Sequence, residues 1–182
     1  MRKSLLILIL GAIILALLSG CVGGRPAQEL PSRPLEVSRA LADQAWEKIY
    51  QAQQQESFTL SLTESELTSL LVFSLEERFK ENPLREPRIW IERGKVIIAA
   101  TLVDLAPRPL DLVVEFTPYA EEGAVKVQIT KVLINRRPLP PMALRTLSRI
   151  LSETLTEAKL KVYVEEIRCE TGVIFLKGRI TS

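Results

Sequence analysis

The sequence predicts an α+β domain in which a curved, mostly antiparallel sheet of about seven strands is wrapped on three helices. Two observations carry that expectation. Three stretches space their apolar residues three and four apart, as helices with one buried face require. About seven others alternate apolar with polar residues, joined mostly by turns short enough for antiparallel hairpins.

Residues 1 to 20 read as an export signal. Arg2 and Lys3 precede an apolar stretch from Leu5 to Leu18, and Leu18-Ser19-Gly20-Cys21 follows as a small-residue cleavage site ending in cysteine. The 14 apolar residues fall short of the roughly 20 that span a hydrocarbon core, which argues against an uncleaved anchor. The pattern resembles the signal of bacterial lipoproteins, whose motif ends in a cysteine that becomes the acylated first residue. That resemblance implies a Cys21 carrying diacylglycerol and palmitate, and a protein held on the extracytoplasmic face of the bacterial cell membrane. Residues 21 to 34, with Gly23, Gly24, Pro26, Pro31 and Pro34 and no apolar period, read as a flexible linker. From Val22 to Pro34 the linker extends to at most about 40 Å.

The domain then occupies residues 35 to 182. Val37, Leu41, Ala45, Ile49 and Ala52 put one apolar face on a helix from Leu35 to Glu56. Phe58, Leu60 and Leu62 alternate with polar residues in a short strand. Thr63-Glu64-Ser65-Glu66 is a capping box, flanked by Leu62 and Leu67 as a hydrophobic staple, and opens a second helix that runs to about Glu81. Leu67, Leu70, Leu71, Phe73, Leu75 and Phe79 give that helix a wider apolar stripe than a surface helix needs.

A hairpin follows, with strands from Arg88 to Glu92 and from Lys95 to about Asp104, turning at Arg93-Gly94 because glycine supplies the positive φ. Leu110, Leu112, Val114 and Phe116 restart the sheet, and Pro118 through Gly123 reads as a turn. Val125, Val127 and Ile129 are out of phase with Val132 and Ile134, so a bulge is expected near Thr130. Pro141 suits the first turn of a third helix, whose face carries Leu144, Leu147, Leu151, Leu155 and Ala158. Two strands, about Leu160 to Cys169 and Val173 to Thr181, close the chain.

Composition excludes several function classes. The whole chain has 24 basic and 22 acidic residues, and loss of Arg2 and Lys3 with the signal leaves 22 of each. A nucleic-acid partner, which calls for a basic excess, is therefore not expected. Histidine is absent, which removes the commonest general base and zinc ligand. With Cys21 acylated, Cys169 is left as a lone thiol and no internal disulfide can form. No nucleophile, base and orienter can be assembled, so the reading is of a protein that is not an enzyme, with no cofactor and no metal.

From Phe58 to about Leu151, Leu60-Ser61-Leu62-Thr63-Glu64-Ser65-Glu66-Leu67 opens a helix. Phe116-Thr117-Pro118-Tyr119 stands ahead of Gly123, and Pro138-Leu139-Pro140 ahead of the last helix. In that order the chain resembles the YpmS-like and LmeA-like exported bacterial families, which are similar to the tubular lipid-binding superfamily. The resemblance implies an apolar groove for a lipid ligand, with Leu71, Phe73, Leu75 and Leu147 as its lining. The alternative is a structural or protein-interaction lipoprotein in which those residues only fill the core.

Other features have plainer readings. Glu121-Glu122 and Glu165-Glu166 point to opposite faces of a strand and cannot clasp one metal. Cys169 suits a small buried hydrophobe. Trp46 and Trp90 fit half-buried packing or a membrane-facing rim, and Arg136-Arg137 a basic loop.

Overall fold

The computed structural model describes residues 30–78, 83–104, 107–157 and 162–181. The export signal, Cys21 and most of the linker lie outside these residues, as do Phe79, Ala158 and Leu160. In chain order the elements are α1 (Arg39–Gln53), β1 (Ser57–Thr63), α2 (Glu64–Arg78), β2 (Leu84–Glu92), β3 (Lys95–Leu102), β4 (Leu110–Glu121), β5 (Ala124–Ile134), β6 (Arg137–Pro138), α3 (Pro141–Glu157), β7 (Val162–Glu170) and β8 (Val173–Ile180). The fold is α+β with antiparallel strands, as the sequence predicts. The strands divide between two sheets, however: β2-β3-β4-β5-β6 and β1-β8-β7.

Local chemistry explains the boundaries. Ser38 caps α1 by accepting from the amide of Leu41, so the helix begins later than Leu35. The extended residues before it are held instead by α2, with the Glu36 amide donating to Ser65 Oγ and the Ser38 amide to Ser69 Oγ. The capping box forms as expected, since the Glu66 amide donates to Thr63 Oγ1 at 3.2 Å and the Thr63 amide to Glu66 Oε2 at 2.8 Å. Gly94 closes the β2–β3 hairpin at φ +75°.

Two strands extend through prolines, beyond the bounds that the sequence predicts at Arg88 and Pro118. β2 starts at Leu84 and passes Pro87 with a bulge between Arg85 and Arg88, which its place at the sheet edge tolerates. β4 continues through Pro118 to Glu121, leaving only Glu122 and Gly123 at positive φ for the turn. Pro118 pairs with Val127, whose own amide and carbonyl point away from β4. The proline nitrogen therefore points to the β3 side, and the β3 pairing has already ended at Val96–Phe116. No ladder bond is lost there. The expected bulge sits at Thr130, skipped between the Glu115–Lys131 and Phe116–Ile129 pairs.

Among the described residues α2 and α3 make the main helix contacts with the larger sheet, and α1 packs chiefly on α2 and β1. The small sheet crosses the hairpin end of the large one. The Gly94 amide donates to the Cys169 carbonyl at 3.1 Å and the Val164 amide to the Gly123 carbonyl at 2.8 Å, docking β7 on both tight turns. One core cluster gathers Ala45, Leu62, Ile89, Ile91, Val96, Cys169 and Ile174 under α1, α2 and the small sheet. A second gathers Ile129, Val132, Ile134 and Leu139 under α3, and Phe116 packs against both.

Candidate functional site

An outer strand presents unpaired amides and carbonyls, and a buried one must find partners for them. Here two helices supply the partners. On β2, Glu64 Oε1 accepts from the Ile91 amide at 2.7 Å, and Thr68 Oγ1 accepts from the Ile89 amide at 3.0 Å. On β5, Ser148 Oγ accepts from the Ile129 amide at 2.8 Å, and Ser152 Oγ both accepts from the Val127 amide and donates to its carbonyl. In each case helix residues four apart meet strand residues two apart. The match is geometric: four helical residues rise about 6 Å and two strand residues about 6.6 Å. The device fixes α2 and α3 along opposite edges of the sheet.

Between those edges the sheet is only half-covered. The middle strand of a sheet with one covered face ordinarily buries its alternate side chains. None of the 12 residues of β4 is buried, although both neighbouring strands contribute several buried residues. On the inner face Leu112, Val114 and Phe116 are half-buried and apolar. Leu144 and Leu147 of α3 pack with them on the second core cluster, and Leu67, Leu70 and Leu71 of α2 pack on the first, which Phe116 also joins. β7 closes the hairpin end with Ile167. The inner face of β4 is thus an apolar, half-buried floor between two helices, bounded by β7 at the hairpin end.

The four residues expected to line a groove are only partly brought together. Leu71 packs in the first cluster and Leu147 in the second, on opposite walls. Leu75 is half-buried one turn beyond Leu71 on the same side of α2. Phe73 faces elsewhere: its ring lies under the Arg39 guanidinium of α1, 4.5 Å from the charge, and that arginine pairs with Glu77. The alternation of Leu112, Val114 and Phe116 reads equally well as a covered strand, so the sequence does not mark them as a floor. The edge-capping Glu64, Thr68, Ser148 and Ser152 also carry no sequence signal of their role.

The buried polar side chains all sit on α2: Glu64, Glu66, Thr68 and Ser69, and among the described residues no buried side-chain polar atom lacks a partner. Arg33 ties the end of the linker to this region through Glu64 at 2.7 Å and Glu92 at 2.9 Å. Lys48 bonds Glu66 at 2.6 Å. Burial pushes the Glu66 carboxyl up, but the Lys48 ammonium and the Thr63 amide and hydroxyl outweigh it, so the group is held below the usual carboxylate value. Burial alone pushes the Cys169 thiol up, which fits an inert core residue. Trp90 is buried and Trp46 is not.

A concavity of about 330 Å³ lies where α3 meets β4 and β5, lined by Tyr119, Glu121, Lys126, Arg149 and Glu153 among others. Its two cations and two carboxylates leave no net charge to select an ion. Among the described residues no group of three metal-ligating side chains occurs, and no helix is long and apolar enough to cross a membrane. Comparison with known proteins finds no matching family model and no matching curated sequence.

Proposed function

We propose that this chain is a non-catalytic bacterial lipoprotein, tethered on the extracytoplasmic side of the membrane through an acylated Cys21, that holds an apolar ligand of the lipid class against β4. The observation that carries the reading is a central strand without one buried residue, flanked by helices whose positions are fixed by hydrogen bonds to the sheet edges. Such a floor gains about 0.8 kcal/mol for each ligand methylene it removes from water. The full hydrogen bonding of the buried side chains favours an apolar occupant over a polar one. The resemblance to the YpmS-like and LmeA-like families points the same way.

Native mass spectrometry of the detergent-free protein tests it. A lipid mass adduct that survives purification and is lost in Val114→Asp, with the fold retained by circular dichroism, is the expected result. A wild-type protein free of lipid, and unable to take up an added fluorescent fatty acid, would replace this reading with a protein-interaction role.

A further inference from the structure

α1 packs largely through small side chains and leaves its two aromatic rings outside. It turns the small side chains of Ala42, Ala45 and Ala52 inward and leaves Trp46 and Tyr50 at 47% and 63% exposure. Four residues apart, those two rings share one flank of the helix. Of the eight large hydrophobic side chains exposed among the described residues, four (Leu30, Val37, Trp46 and Tyr50) fall between residues 30 and 50, the part of the domain next to the linker. The hydrophobic effect alone gives no reason for this concentration, since Ile49 on the same helix is packed against the core.

We infer that the Trp46–Tyr50 flank of α1 rests in the headgroup layer of the bilayer to which the chain is tethered. The inference rests on the reading of Cys21 as the acylated residue. Indole and phenol rings have an apolar body and a polar tip and prefer the membrane–water interface. Eight residues separate Cys21 from Leu30, a reach of at most about 30 Å, so the tether keeps α1 near the surface and makes the encounter intramolecular. Charge does not supply the attraction. Arg33, Arg39 and Lys48 are each paired with a carboxylate of the domain, while Asp43 and Glu47 stand exposed on the helix. The contact is therefore one of aromatic partition, insensitive to salt and to anionic lipid.

The two tryptophans make the test direct, because Trp90, at 3% exposure, serves as an internal reference. The mature full chain is reconstituted through its acyl anchor into phosphatidylcholine vesicles with and without brominated acyl chains, after the acylated mass has been verified. The Trp46 emission is expected to shift to the blue and to be quenched by the brominated lipid at low and high salt alike. Trp46→Phe should abolish the response, and Tyr50→Ser should weaken it, with melting temperatures unchanged. An acylated, vesicle-bound chain whose Trp46 emits as in water would overturn the inference. So would a blue shift that appears without lipid and scales with protein concentration, since the flank would then be covered by a second copy. A chain that carries no acyl group would instead remove the tether reading itself, and this inference with it.

Discussion

Thr68 of α2 and Ile89 of β2 bond one another twice: the Ile89 amide donates to Thr68 Oγ1 at 3.0 Å, and the hydroxyl donates to the Ile89 carbonyl at 3.5 Å. Thr68 is fully buried, so no water can stand in for it. Thr68→Val keeps the shape and strands both backbone groups, which should cost about 1 to 3 kcal/mol. Ser148→Ala, at a half-buried side chain that bonds the Ile129 amide but not its carbonyl, should cost less. Urea denaturation midpoints at constant m-value compare the two, and equal losses would mean that burial does not set the cost.

Glu66 makes stability fall in acid. Its carboxyl is held below the ordinary value of 4.5 in the folded chain, so its contribution is fully present above that value and is lost as pH falls through the lower, folded one. Glu66→Gln should lower stability at neutral pH and flatten the decline below about pH 4.5. Chemical denaturation across that range reads the slope, and a variant that declines as steeply as the wild type would assign the effect to other carboxylates.

Gly94 and Gly123 both sit at positive φ, +75° and +78°, but a side chain at Gly94 meets open space whereas one at Gly123 runs into the ring of Tyr163. That ring is itself held by Arg179, 4.8 Å away, on the strand that crosses the hairpin end. Gly94→Ala should cost only the backbone strain, about 1 kcal/mol, and Gly123→Ala distinctly more. In a Tyr163→Ala background the excess should vanish, which a double-mutant cycle on thermal unfolding measures.

The half-buried β4 floor makes a contrast between positions on one sheet face. Ile91→Ala and Val132→Ala, at fully covered sites, should each cost about 2 to 4 kcal/mol. Val114→Ala, half-buried on the floor, should cost less stability and reduce lipid occupancy more. Melting temperature and bound-lipid mass, taken on the same samples, give both numbers. Equal destabilisation with unchanged occupancy would count against a ligand on β4.

Cys21→Ser should release the chain from membranes, because the surface without the signal has balanced charge and one aromatic flank holds only while tethered. Fractionation after a carbonate wash, with acyl labelling, decides it; a variant still fully membrane-bound would refute the anchor.

How much of this was readable beforehand follows from the range of the forces involved. The capping box at Thr63 and Glu66, the Gly94 turn, the Thr130 bulge and the start of the last helix at Pro141 all depend on residues within a few positions of one another, and the sequence alone determined them. The passage of β2 and β4 through Pro87 and Pro118 was not legible, because it depends on which neighbouring strand has already ended. The division into two sheets was likewise decided in three dimensions, by β7 docking on Gly94 and Gly123.

The candidate site divides the same way. Alternation in Leu112, Val114 and Phe116 determined that β4 has an apolar face, yet the same pattern would serve a sealed core, and only the tertiary structure left that face half-buried, with α2 bonded to β2 and α3 to β5. Trp46 and Trp90 are the same residue type in apolar patterns of similar strength; one is exposed and one buried because α1 packs through its alanines while β2 lies beneath the segment carrying Arg33, whose carbonyl accepts from the Trp90 indole. A side chain's period is set by its neighbours in sequence, but its cover comes from whatever part of the chain folds back over it.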